Sequence, residues 1–332
     1  MRALLASVSL LSLCASTLLL SGCEADDCKD ADGKDATCFA SLTHFTAPEQ
    51  TATEDYVDGA SLTIDGLYGS ITVQEGSAGV VKTTFAPFNY RGHDKEAEAA
   101  QEMSDNLQLE MVADADSNLF VTTGRTASQT GNLGAQITVE LPPEFNGPLF
   151  VENAGDGGIN QGHIAVKYVA QATTLTVLNH GLENCNILRP EDDDDAVAAS
   201  TLIDTDVRCE ADITVRGVND TVFVHSRNAE FHSNVRVEIA SIGPSALGGE
   251  VRGDNSSIEL ILPSAGDYDV SASASGPGAH IGKIETGDCE TTSSETASLE
   301  LSCGAGGAPY LAVAEDEDEG DDEPAFVNVL VR

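Results

Sequence analysis

The chain has no tryptophan, and aromatic residues make up only 5% of its 332 positions. That scarcity argues against a sugar or nucleobase cleft built on stacked rings. Positive charge is scarce too, with 16 Lys and Arg against 55 Asp and Glu and a formal net charge of −39. A body this acidic is not expected to bind nucleic acid or an anionic membrane surface. Catalytic signatures are missing as well. The histidines His44, His93, His163, His180, His225, His232 and His280 are scattered, with no HExxH pair for zinc and no GxSxG elbow for a nucleophile. Carboxylates are so numerous that no pair stands out as an acid–base couple. The sequence reads as a non-enzyme without a cofactor.

What is present is enough for a core: 41% of residues are hydrophobic, many of them β-branched. The acids then read as a solvated surface that collects divalent ions such as Ca²⁺ diffusely. At the amino end Arg2 precedes an uncharged stretch over 3–20 and then Leu20-Ser21-Gly22-Cys23. A basic start, an apolar core and a small-residue exit describe a secretory signal. The four residues LSGC resemble the lipobox of bacterial lipoproteins, which implies cleavage before Cys23, a lipid on that cysteine and a membrane as its partner. The expected division is a signal peptide over 1–22, an acidic tether over 23–55 and one β-rich domain over 56–332. Removal of the signal takes Arg2 alone and moves the net charge from −39 to −40.

Cys14 leaves with the signal, so six cysteines remain for bonding. In an exported protein an even number implies disulfides, although six allow fifteen connectivities. The expectation is local pairing, Cys28 with Cys38, Cys185 with Cys209 and Cys289 with Cys303. Zinc is the alternative, but no CxxC and no histidine at ligand spacing stands beside any of them.

From Tyr56 onward the chain runs in short segments with apolar residues at alternate positions, bounded by Gly, Asn and Asp. Examples are 70–73, 136–141, 173–178, 212–215, 221–224, 234–239 and 257–262. Such period-two runs are strands. One segment, 94–107, places Ala97, Ala100, Met103 and Leu107 three or four apart, with Asp94 as a cap, and reads as the single helix. Acidic runs over 191–195 and 315–323 read as loops, and 325–331 as a closing strand. The stretch ITVELPPEFNGPLFVENAG from Ile137 also echoes IELILPSAGDYDVSASASG from Ile258, with Leu-Pro at the same offset. Recurrent strands with glycine turns, in coils on the order of 20 residues, suggest a right-handed parallel β-helix, a β-solenoid. An antiparallel β-sandwich would serve the same alternation.

DGASLTIDGLYGSITVQEG, the strand over 80–85, the helix HDKEAEAAQEM, LQLEMVADADSNLFVTT and ITVELPPEFNGPLFVENAGDGGI together resemble the adhesin-like domains of bacteria. SSIELILPSAGDYDVSASASG is similar to a second signature of that family. The resemblance covers about 56–181 and 235–287. It implies a β-helix and a role in adhesion or envelope organisation, with an envelope glycan or a surface protein as partner.

Three local features invite functional readings. Arg189, Arg208, Arg216 and Arg227 could line a basic stripe for an anionic sugar, although offsetting nearby acids is the plainer role. Arg252-Gly253-Asp254 spells the tripeptide read by animal integrins, in what reads as a glycine-rich turn, a match that chance also supplies. Asp30, Asp32, Gly33 and Asp35 faintly resemble a calcium loop but lack the distal glutamate of the EF-hand. The rival to a binding role is a polysaccharide-acting enzyme on the same scaffold. Arginine, lysine and acids converging on one face would favour the enzyme, and a smooth acidic face would favour the binder.

Overall fold

The computed structural model describes residues 43–91, 95–126, 133–154, 162–180, 184–188, 200–227, 232–316 and 324–332. The signal, Cys23, Cys28, Cys38, the acids over 26–35, His93, Asp94, Arg189 and the run 192–195 lie outside them.

The protein is almost entirely β, with two 12-stranded sheets and one helix among the described residues. Within strands every second side chain is apolar and turns inward, as in Leu62–Gly66 and Ile71–Glu75. Period-two patterning of this kind buries one face of each strand. The chain visits the sheets alternately. Leu62–Gly66, Leu149–Asn153, Thr174–Asn179, Asp204–Cys209, Thr221–Ser226, Gly249–Asp254 and Ala308–Glu315 form parallel neighbours in what we call sheet II. Between them the chain crosses to sheet I through Ile71–Glu75, Ile164–Val166, Cys185–Ile187, Ile213–Asn219, Ser233–Ser241, Ser256–Leu262 and Phe326–Val331, again parallel.

Register stacks like on like along the interior. On sheet I, Ile71, Ile164, Cys185, Ile213, Val235, Ile258 and Val327 occupy one ladder. On sheet II, Ile64, Val151, Val177, Val207, Val224 and Val251 occupy another. All of these side chains are buried, and a fully buried Val or Ile side chain contributes about 1.5–3 kcal/mol. The two echoed stretches fall in equivalent places. Leu133–Leu141 and Ser256–Leu262 both lie in sheet I, and each Leu-Pro turn leads to a sheet II strand, Leu149–Asn153 and Tyr268–Ser275.

Two excursions interrupt the parallel series. In the first, Val80–Arg91 pairs antiparallel with Leu133–Leu141, and the helix Glu96–Asn106 packs beside it. The helix buries Ala99 and Met103, one turn apart on a single face. Ala97 and Ala100, expected on that face, are exposed instead. Glu102 ties the helix to the strand by accepting from Asn89 Nδ2 at 2.8 Å and from Arg91 Nε at 3.0 Å. In the second excursion Glu290–Ser294 and Ser298–Cys303 pair antiparallel.

The expected tether does not extend to residue 55. Thr43–Thr46 and Gln50–Asp55 are strands, both antiparallel to Val80–Arg91. Their sequences, THFT and QTATED, are too polar to show a strand period, because they lie at an edge with much of each strand exposed.

Candidate functional site

On the outer face of sheet II three consecutive parallel strands, Asp204–Cys209, Thr221–Ser226 and Gly249–Asp254, carry two outward rows. Register places Asp206, Phe223 and Glu250 in one row and Arg208, His225 and Arg252 in the next. Their inward neighbours Val207, Val224 and Val251 belong to the core ladder, so alternation fixes both rows outward. Together with Arg227, just past the second strand, these side chains line a groove of about 500 Å³. That is a volume typical of ligand sites.

The polar groups of the groove are held in place. Arg208 donates to Asp206 through Nε at 3.1 Å and Nη2 at 2.9 Å, a two-point contact. Arg252 Nη2 donates to Glu315 at 2.7 Å, and its Nε lies 3.4 Å from Asp254 Oδ1. The Glu315 carboxylate, aided by Asp254, holds the Arg252 guanidinium above its ordinary pKa. His225 Nε2 and Asp254 Oδ2 lie 3.2 Å apart. Arg227 is exposed and has no ion-pair partner among the described residues. Phe223 is 45% exposed, an unusual position for a large apolar ring.

The sequence-level stripe is thereby corrected. Arg208 and Arg227 do meet, and the residues that join them are Arg252 and His225. Arg216 does not: it lies in sheet I, buried, with Nε 3.9 Å from Glu238. The Arg252-Gly253-Asp254 tripeptide is not a displayed turn. It ends a sheet II strand, with Arg252 and Asp254 outward and ion-paired, and Gly253 inward. A Cβ on Gly253 would stand 2.5 Å from Ser256 Cβ, so packing explains the glycine.

Two cysteine pairs are bonded. Cys185–Cys209 joins a sheet I strand to the sheet II strand that follows it, with both residues buried. Cys289–Cys303 closes the second excursion at a Cα separation of 4.3 Å. Other histidines serve locally: His180 lies 3.2 Å from Glu152, and His232 Nε2 lies 2.8 Å from Ser257 Oγ. Among the described residues no group of three or more His, Cys, Asp or Glu is placed to hold a metal ion. Sheet I carries a smaller groove of about 380 Å³, lined mainly by amides and hydroxyls, with Arg236 and Glu259 paired across it.

No protein-family model matches the chain, and no curated protein matches it. Two solved structures are similar in outline. One is a provisionally assigned cell adhesion protein of Clostridium sporogenes, 10% identical, with a TM-score of 0.33 over 86% of this chain and 100% of that one. The other is a provisionally assigned adhesin of Bacteroides fragilis, 12% identical, with a TM-score of 0.40 over 85% and 97%. Both are remote likenesses.

Proposed function

We propose that the chain is a lipid-anchored protein of the cell envelope whose body binds a surface component and does not catalyse. The observation that carries the binding role is the sheet II groove. Two of its arginines, Arg208 and Arg252, are oriented by carboxylate partners, and its one large ring stands in solvent. Preorganised donors beside exposed apolar area are what a recognition surface requires.

We also propose that the body is a right-handed parallel β-helix. Outside the two excursions, alternation between two sheets with parallel neighbours within each supports this over an antiparallel sandwich. The right hand follows the general preference of parallel crossovers. The anchor rests on the LSGC motif, with Cys23 as the acylated residue.

The enzymatic reading has one observation in its favour: arginines and acids do converge in a groove, although no lysine joins them. Against it, Asp206 and Asp254 are engaged with Arg208, His225 and Arg252, which leaves Glu250 as the one groove acid without an ion-pair partner among the described residues. The test is fractionation and retention. Full-length chain should partition with membranes, Cys23→Ser should not, and purified chain should be retained on isolated envelopes without releasing soluble fragments. Membrane partition unaffected by Cys23→Ser contradicts the anchor, and time-dependent release of fragments contradicts the non-catalytic role.

A further inference from the structure

We infer that the sheet II groove takes a linear saccharide bearing carboxylates, a ligand class that rests on the binding role proposed above. The chain as a whole carries a formal charge of −39, and such a field repels polyanions. An anionic ligand can be held only where cations are concentrated and already oriented. Arg208 and Arg252 meet that condition on the two outer strands of the three, with the His225 imidazole between them and Arg227 just past the middle strand. Arg208 and Arg252 each spend two nitrogens on protein carboxylates, out of five donors per guanidinium. Arg227 has no ion-pair partner among the described residues, so its guanidinium is the one in the groove not already engaged by a protein carboxylate. Its planar fork matches a carboxylate.

The remaining lining distinguishes a saccharide from an acidic peptide. Asp206 and Glu250 flank Phe223 in the adjacent row. Carboxylates accept hydrogen bonds and donate none when ionised, so they suit the hydroxyls that a sugar carries beside its carboxylate and that a glutamate or aspartate side chain lacks. The exposed Phe223 ring offers the apolar face of a sugar something to lie against. Arg208 and Arg252 stand two strands apart, about 10 Å, so a chain laid across the strands meets a cation, an imidazole and a cation in turn. Donors in one row and acceptors in the next match a sugar ring that carries both a carboxylate and hydroxyls.

The experiment measures binding of the purified full chain to polygalacturonate, dextran sulfate, poly-glutamate and neutral dextran, by calorimetry in calcium-free buffer. The variants are Arg227→Gln, Phe223→Ser and, as a charge control on sheet I, Lys283→Gln, each checked for an unchanged melting temperature. Polygalacturonate should bind best. Its affinity should fall about tenfold in Arg227→Gln, the loss of one charge-assisted hydrogen bond. It should also fall in Phe223→Ser, stay the same in Lys283→Gln and weaken with added sodium chloride. Equal binding of dextran sulfate or poly-glutamate overturns the assignment, because the cations then act as bare charge. Polygalacturonate binding indifferent to Arg227→Gln overturns the site. Retention on envelopes without binding to any of the four polymers removes the ligand class and leaves the binding role, whereas loss of both removes both.

Discussion

Arg252 Nη2 donates to Glu315 Oε2 at 2.7 Å across the parallel pair formed by Gly249–Asp254 and Ala308–Glu315. The two residues are 63 apart in sequence, so the pair links the regular stack to the strand that resumes it after the second excursion. Both side chains are partly exposed, which limits the energy of the contact. Glu315→Gln should lower stability by about 0.2–1 kcal/mol in urea unfolding. A loss several times larger would mean that the pair anchors the returning strand.

Gly253 tests the reading of the tripeptide. Its position faces inward against Ser256, so Gly253→Ala should cost about 1–3 kcal/mol by overpacking. Ser256→Gly in the same chain should recover part of that loss, a coupling measurable in a double-mutant cycle. Gly253→Ala without cost would place the glycine in an open turn.

The disulfides should each contribute about 3 kcal/mol on the loop-entropy account, for sequence separations of 24 and 14. Non-reducing peptide mapping should return Cys185–Cys209 and Cys289–Cys303, together with the expected Cys28–Cys38. A cross-link such as Cys38–Cys185 contradicts the local scheme. Reduction should lower the melting temperature by several degrees.

Two tyrosines set the alkaline limit. Burial pushes Tyr268 up to about 12 and raises Tyr310 as well, with Asp220 and Tyr268 adding to the latter. Each hydroxyl donates to a backbone carbonyl, Tyr268 to Pro263 at 2.5 Å and Tyr310 to Asp220. A folded pKa above the unfolded value of 10.0 means stability that is complete below about pH 10 and lost as pH climbs toward 12. Ultraviolet titration should show these two ionising late, with unfolding. Ionisation of all six tyrosines near pH 10 in folded protein would contradict the burial.

Much of this architecture was legible in the chain, because period-two burial leaves its mark on every strand whose inner face meets the core. The strands expected over 212–215 and 257–262 appear as Ile213–Asn219 and Ser256–Leu262, the first running four residues beyond the end of its alternation. The edge strands Thr43–Thr46 and Gln50–Asp55 were not legible, since neither has a fully buried face. Val80–Arg91 continues beyond the expected strand over 80–85 and through Pro87, which lies opposite Ala135 in the pairing. The groove was half legible. Arg208 and Arg227 stand out as arginines, but what brings His225 and Arg252 beside them is register between strands joined by connections of unequal length, each passing through sheet I, which spacing does not reveal. Arg252 was hidden inside a familiar tripeptide.

Charge should govern stability in solution. Sodium chloride screens the self-repulsion of a chain this acidic and should raise the melting temperature. Calcium at equal ionic strength should add a modest, non-saturating increment if its sites are diffuse. A sharp, saturable calcium transition would reveal an ordered site.

The central claim is that the protein binds through the outer face of sheet II. The direct measurement is hydrogen–deuterium exchange of the full chain with and without the saccharide fraction of the cell envelope. Added protection is predicted at 204–209, 221–227 and 249–254 and nowhere on sheet I. Protection centred on the sheet I groove around Asn186, Arg236 and Asn328, or none on either face, would contradict it.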